Sequence, residues 1–149
     1  MKNTAWRLVH PVYALGKASR EHVFADGRFH YAGDQIIYAW ETAELASLAV
    51  AELTGGITPR VMLREKLIFP DDAQLNVLTS RRFILRVGAQ DTLRHMRQRN
   101  ILSLWIPSEL YASQRLVVID PLHKAFDQIL VGDSRFLVCR DQKLAQAES

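Results

Sequence analysis

The chain has very little cysteine and no long apolar run, and both features limit the kinds of protein that it can be. Its one cysteine, Cys139, rules out an internal disulfide and a zinc site built from cysteines. No apolar stretch approaches the ~20 residues of a membrane-spanning helix, and the first residues, MKNTAWRLVHP, lack the apolar core of a signal peptide. The sequence therefore predicts a protein of the cytoplasm with no membrane partner.

Several common kinds of functional site are missing as well. The five histidines show no H-x-x-x-H spacing, so no metal site is expected, and no serine lies in a G-x-S-x-G elbow. The pair Gly55-Gly56 follows a predicted helix and indicates a C-cap instead of a phosphate loop. Net charge is only +3, and the densest basic run, Arg94 to Arg99, is typical of a solvated helix face. No direct contact with nucleic acid is predicted.

Length and composition favour one folded domain. The chain has 149 residues, of which 48% are apolar and 23% charged, as in ordinary globular proteins. Residues 1–140 are expected to form the domain, and residues 141–149 a polar C-terminal tail.

Hydrophobic periodicity predicts more strands than helices. Strands are expected at Trp6–Val9, Gln35–Trp40, Pro59–Ile68, Ile101–Ile106, Arg115–Ile119 and Arg135–Cys139, and helices at Thr42–Leu53 and Gln90–Arg99. Thr42 is the expected N-cap of the first helix. Because hairpin-like spacing dominates the second half, the predicted fold class is α+β, not doubly wound α/β.

The first helix carries a carboxylate where an apolar residue is expected. Leu45, Leu48, Ala49 and Leu53 form one stripe, and at ~100° per residue Glu52 lies near its centre. A carboxylate there must be paired, hydrogen-bonded or neutralised. Glu52 is therefore a candidate working residue, and the alternative is a buried salt bridge with an arginine such as Arg28 or Arg7.

Three other polar residues are candidates, each with a structural alternative. Arg28 follows a glycine in a loop, where its planar fork suits a phosphate group, although a surface arginine fits equally well. Tyr38 interrupts the apolar run QIIYAW, either to stack on a base or nicotinamide ring or as a core tyrosine. Ser108 follows a strand-ending proline, where a turn or cap hydroxyl is the common case.

Five short motifs occur in an order that resembles the RES-domain family. They are WRL (Trp6–Leu8), GRFHYAG (Gly27–Gly33), IIYAWETAELASLAV (Ile36–Val50), LWIPSEL (Leu104–Leu110) and IDPLHKAF (Ile119–Phe126). Members of that family are toxins of bacterial toxin–antitoxin pairs, usually encoded with an antitoxin that carries an Xre-type DNA-binding domain. The family name refers to a shared arginine, glutamate and serine.

The resemblance implies a compact α+β domain similar to diphtheria-toxin-like ADP-ribosyltransferases, and attack on the nicotinamide–ribose bond of NAD+ as substrate, without a metal. By position, Arg28 and Arg7 match the arginines of the GR and WR motifs, Tyr38 the tyrosine after the second strand, and Ser108 the serine of the PS motif. His30 and Tyr31 belong to the same GRFHYAG motif and are also expected at the NAD+ site. Glu52, Arg28 and Ser108 are the expected catalytic residues.

This chain departs from the family pattern in three places. Phe29 and His30 replace a tryptophan and an asparagine. Counted without gaps from Tyr38, the family's glutamate position is occupied by Ala49, and the nearest carboxylate, Glu52, follows about one helical turn, or ~4.5 Å, later. A displaced carboxylate would disturb the position of the acceptor more than the binding of NAD+.

The resemblance therefore leads to three hypotheses. The first is a toxin that transfers ADP-ribose from NAD+ to a cellular protein, and the second is an NAD+ phosphorylase or glycohydrolase that depletes NAD+. The third is a degenerate member that only binds or regulates, which the alanine at position 49 favours. For the enzyme, the expected partners are the target protein and an antitoxin with an Xre-like domain that blocks the NAD+ cleft.

Overall fold

The computed structural model describes residues 3–9, 28–53, 61–108 and 113–138, with the backbone alone at residues 50–53, 61 and 138. The predicted tail at residues 141–149 and the end of the last predicted strand at Cys139 lie outside this part of the chain. Within it, no helix is both long enough and apolar enough to cross a membrane.

Seven strands and three α-helices make up the described chain. They are β1 (Thr4–Val9), β2 (Ile37–Trp40), α1 (Ala43–Leu53), β3 (Val61–Ile68), β4 (Asn76–Leu78), α2 (Arg81–Val87), α3 (Thr92–Gln98), β5 (Ser103–Pro107), β6 (Arg115–Ile119) and β7 (Leu130–Val138), with 3₁₀ turns at Ala89–Asp91 and Phe126–Gln128. All strands join one sheet in the order β4-β5-β6-β2-β1-β3-β7. Only β4 and β5 run parallel; every other pair is antiparallel. The predicted α+β class is confirmed.

One strand and one α-helix were not predicted from the sequence, and β7 is much longer than expected. The short strand β4 has three residues, too few for a periodic signal. Helix α2 buries Ile84 while Leu85 is 81% exposed, so its apolar residues do not form a stripe. Ser80 begins this helix by accepting the Phe83 N–H at 3.2 Å. Strand β7 begins five residues before the predicted Arg135, because its exposed apolar residues hide the period-two alternation.

The strand register assigns each polar residue to one face of the sheet. Trp6 on β1 lies opposite Trp40 on β2, so both side chains share one face with Tyr38, two residues before Trp40. This is the front face, which α2 and α3 cover. Its core contains Phe29, Ile36, Ile84, Leu93, Met96, Ile101, Leu104, Ile106 and Val118. From the predicted second helix, Leu93 and Met96 of α3 are both fully buried in this core.

The opposite, back face has its own apolar core. Its buried residues are Ala5, Ile37, Ala39, Leu67, Phe69, Leu102, Trp105, Val117, Ile119, Ala125 and Ile129. The rings of Phe69 and Trp105 meet edge to face, 5.2 Å between centroids. Arg7 alternates with Trp6 along β1 and therefore belongs to this back face. The sheet thus separates Arg7 from Tyr38.

Helix α1 begins as predicted and buries part of the predicted stripe. Thr42 Oγ1 accepts the Leu45 N–H at 3.1 Å, which confirms the N-cap. Leu45, Ala46 and Ala49 are buried, whereas Leu48 is 38% exposed, so the prediction that Leu48 belongs to the buried stripe is wrong. The burial inferred for Glu52 depended on Leu48 as a neighbour. The Glu52 side chain lies outside the described residues, and its role stays a prediction.

Candidate functional site

The loop from Arg28 to His30 folds onto Tyr38 at the front face. His30 is 1% exposed, and its Nδ1 lies 2.8 Å from the Tyr38 hydroxyl oxygen. The backbone N–H of Phe29 donates to the same oxygen at 3.3 Å. The exposed Arg28 places its guanidinium carbon 5.2 Å from the centroid of the Phe29 ring. Three predicted site residues, Arg28, His30 and Tyr38, are therefore brought together.

Burial affects the titration of the Tyr38 phenol. It raises the pKa of the Tyr38 phenol well above its ordinary value, while the Phe29 N–H and the Arg28 charge oppose the rise. The phenol is therefore neutral at physiological pH. The hydroxyl oxygen that accepts the Phe29 N–H also lies within hydrogen-bond distance of His30 Nδ1, at 2.8 Å. The Arg28 guanidinium therefore lies beside a largely buried cluster of Phe29, His30 and Tyr38.

We expect Tyr38→Phe to destabilise the folded chain by about 1–3 kcal/mol at pH 7, because it removes a partner from both Phe29 N–H and His30. A raised phenol pKa contributes stability below the ordinary tyrosine value of ~10, and this stability is lost as pH rises toward the folded-state pKa. The variant should therefore lose less stability than the wild type above pH ~10. Urea unfolding at several pH values measures both effects.

Tyr31→Phe is the matched control for that experiment, since its hydroxyl donates to Asp91 Oδ1 in an exposed contact of 2.8 Å. We expect it to cost less than about 1 kcal/mol at pH 7. Equal losses in the two variants would contradict a special role for the buried phenol.

Tyr31 itself is engaged away from the Tyr38 cluster. Besides the bond to Asp91, the Arg94 guanidinium lies over its ring at 4.3 Å from the centroid. Its backbone N–H donates to Asp34 Oδ2 at 3.2 Å. These contacts attach the loop to the start of α3, so in this structure Tyr31 holds the loop in place while His30 faces inward.

Ser108 lies where the β5–β6 hairpin approaches the start of α1. Its N–H donates to the Gln114 carbonyl at 2.8 Å, and the Gln114 side-chain oxygen accepts the Thr42 hydroxyl at 2.7 Å. Arg115 and Glu41 add an ion pair of 3.0 Å. Ser108 lies two strands across the sheet from Tyr38 and four residues further along. With standard strand spacing, this displacement corresponds to roughly 16 Å. The two residues could contact only opposite ends of one extended ligand.

Arg7 is buried in an ion pair that the sequence analysis missed. It is 0% exposed, and its Nε lies 3.4 Å from Oε1 of Glu65, itself 2% exposed and directly opposite on β3. Glu65 falls two residues after Leu63 and two before Leu67, on the apolar side of β3. That period-two position was the signal that could have identified it.

The comparison with solved structures shows a similar fold. The chain is similar to a chain of the M. tuberculosis MbcT–MbcA toxin–antitoxin complex, with a TM-score of 0.71 at 13% sequence identity. The match covers 99% of this chain and 88% of the other. At this identity the likeness shows a shared fold. No protein-family model matches the chain, and no curated protein sequence matches it.

The predicted site residues thus fall into separate groups. The loop cluster, formed by Arg28, His30 and Tyr38, lies at the front face. Ser108 lies at the end of that face, and Arg7 lies on the back face. Among the residues that the structure describes, no three acidic, histidine or cysteine side chains could hold a metal ion together. Arg28 is an exposed cation at the front face, and its charge is suited to bind an anionic group.

Proposed function

We propose that this protein is the toxin of a toxin–antitoxin pair and that it cleaves NAD+ to transfer ADP-ribose to a cellular protein. The observation that carries the proposal is the fold match, which extends over 99% of the chain to a protein of a toxin–antitoxin complex. The five RES-like motifs, which occur in the same order as in that family, also support the toxin role. The resemblance implies NAD+ as the substrate. The likeness to diphtheria-toxin-like ADP-ribosyltransferases is part of the proposal.

The loop cluster supports binding of the NAD+ diphosphate. Arg28 is exposed, and its planar guanidinium carries several N–H donors. It packs on the Phe29 ring, next to the contact between His30 and Tyr38. The half-buried Tyr38 ring offers an apolar surface beside this cation for nicotinamide or ribose. The role predicted for Arg7 at the same diphosphate stays a prediction. Its side chain belongs to the back face of the sheet, opposite to the face of Tyr38.

The reaction needs a carboxylate and an acceptor. The bond from the nicotinamide nitrogen to ribose C1′ breaks with its electron pair leaving on nicotinamide, and a carboxylate stabilises the positive charge that develops on the ribose. A nucleophile of the target protein then bonds to C1′ and transfers its proton to that carboxylate. Glu52 is proposed for this role, and Ser108 for a hydrogen bond to the substrate.

One incubation separates this function from the alternatives. Purified protein is mixed with NAD+, phosphate and cell lysate, and the products are resolved. Labelled protein bands would support the transferase. ADP-ribose-1″-phosphate or free ADP-ribose would instead indicate a phosphorylase or glycohydrolase. Unchanged NAD+ would contradict both and leave a binding or regulatory protein, the hypothesis that Ala49 favours.

The diphosphate contact is tested by Arg28→Ala, with Arg82→Ala on the exposed side of α2 as the matched control. Loss of a charge-assisted contact should raise KM for NAD+ by about 10–100-fold. The control should leave KM unchanged. Equal KM values for the two variants would remove Arg28 from the site.

An inhibitory partner follows from a toxin of this kind. We propose an antitoxin with an Xre-like domain that closes the NAD+ cleft over the loop cluster. Added antitoxin should then compete with NAD+, raising its KM. A complex that binds NAD+ with unchanged affinity would contradict this mode of inhibition.

A further inference from the structure

Strand β7 ends the sheet with an unusually apolar and exposed edge. Among the described strands it pairs only with β3. Phe136 is 68% exposed, Leu130 60% and Val131 40%. A strand of nine residues with such side chains, and with one backbone edge that no described strand covers, is a template for pairing with another strand.

The sequence of this strand is complementary to itself. Around Ser134 it reads Gly132-Asp133-Ser134-Arg135-Phe136, with opposite charges at equal distances from the centre. We propose that β7 pairs antiparallel with β7 of a second copy, about a two-fold axis through Ser134. Residue 133 of each copy then lies opposite residue 135 of the other, so Asp133 faces Arg135 twice. The interface is isologous and extends the sheet across two chains.

The charges of the front face near β7 favour this arrangement. Arg64 lies directly opposite Arg135, and Lys66 opposite Asp133, so the described β3 and β7 residues on this face include three cations and one carboxylate. Like charges directly opposite each other destabilise a strand pair. The nearest counter-charge is Asp133 of the same strand, 3.8 Å from Arg135 Nε. A second copy brings another Asp133 against Arg135 and balances the Arg64–Arg135 pair.

Gly132 of β7 also fits the proposed β7–β7 pairing. The β3–β7 register shifts between Lys66 and Leu67, which leaves Gly132 as the extra residue of a bulge. A Cβ there would lie 2.6 Å from Ile68 Cδ1, so the position admits no side chain without a shift of Ile68. In the proposed dimer Phe136 of the second copy lies opposite this glycine, and an aromatic ring covering a cross-strand glycine is a favourable pair.

Charge reversal tests the pairing and its register together. Sedimentation velocity of the full chain over roughly 5–500 µM should show a concentration-dependent dimer, since an interface of this size associates weakly. Asp133→Arg and Arg135→Asp each place like charges opposite each other and should raise the dimer Kd about tenfold. The double variant restores opposite charges and should restore the wild-type Kd. A wild type that stays monomeric, or a double variant weaker than both single ones, overturns the proposal.

A disulfide tests the position of the axis. In a Cys139→Ser background, Ser134→Cys places two thiols on the axis, where opposing Cα atoms lie ~4.5–5.5 Å apart and within disulfide reach. Mild oxidation should cross-link most of the chain, whereas Gln98→Cys on the exposed end of α3 should not cross-link. Equal cross-linking in both variants overturns the proposal. The proposal is also overturned if β7 stays exposed in the protein alone and is covered only when a different protein binds.

Discussion

Glu65→Ala is expected to destabilise the folded chain by about 3–5 kcal/mol, because it leaves the Arg7 guanidinium buried without this carboxylate. Both side chains are essentially inaccessible to water and lie opposite each other on adjacent strands. For a chain of 149 residues the loss corresponds to a fall in Tm of roughly 10–15 °C. Calorimetry and urea unfolding measure it. Glu44→Ala, at an exposed position of α1, is the control and should change stability by less than ~0.5 kcal/mol.

The double variant Arg7→Met/Glu65→Leu separates a structural role from a functional one. Apolar replacement of a whole buried ion pair is often neutral or stabilising, so we expect this variant to regain most of the stability that Glu65→Ala loses. If it folds and still consumes NAD+ with wild-type KM, the predicted role of Arg7 at the diphosphate is wrong. A double variant as unstable as Glu65→Ala would contradict the ion pair as the cause of the loss.

The strands with strong local patterns could be predicted from the sequence. Arg115–Ile119 has the predicted bounds, and β1 and β3 begin within two residues of expectation. These segments combine β-branched and apolar residues with clear ends, so their local preference agrees with their place in the sheet. The pairing order was not predictable, because it depends on contacts between strands far apart in sequence.

The polar residues of the core were harder to predict than the apolar ones. The alternation in β3 places Glu65 on the apolar side with Leu63 and Leu67, whereas its charge favours a solvent-facing position; it is buried there because Arg7 is opposite to it. In α1 the spacing of leucines predicted a buried Leu48, but the sheet contacts a face that includes Ala46 and Ser47 instead. Periodicity gives the spacing of a face, while tertiary contacts choose which face is buried.

These two errors bear on the choice of catalytic carboxylate. Ala49 is buried on α1, so the family's glutamate position faces the protein interior and holds no acid. Glu65 is buried but committed to Arg7 on the back face, away from Tyr38. Glu52 follows Ala49 by about one turn of the same helix. It therefore remains the carboxylate that we propose for the reaction.

We expect Glu52→Ala to lower the turnover of NAD+ by about 10²–10³-fold while leaving the folded structure intact, because it removes the charge that stabilises the developing cation on the ribose. The readout is kcat for nicotinamide release, with urea unfolding to check the fold. Glu44→Ala is again the matched control, since it removes an acid from the first turn of the same helix and should keep wild-type kcat. A folded Glu52→Ala variant with full turnover would show that the carboxylate lies elsewhere.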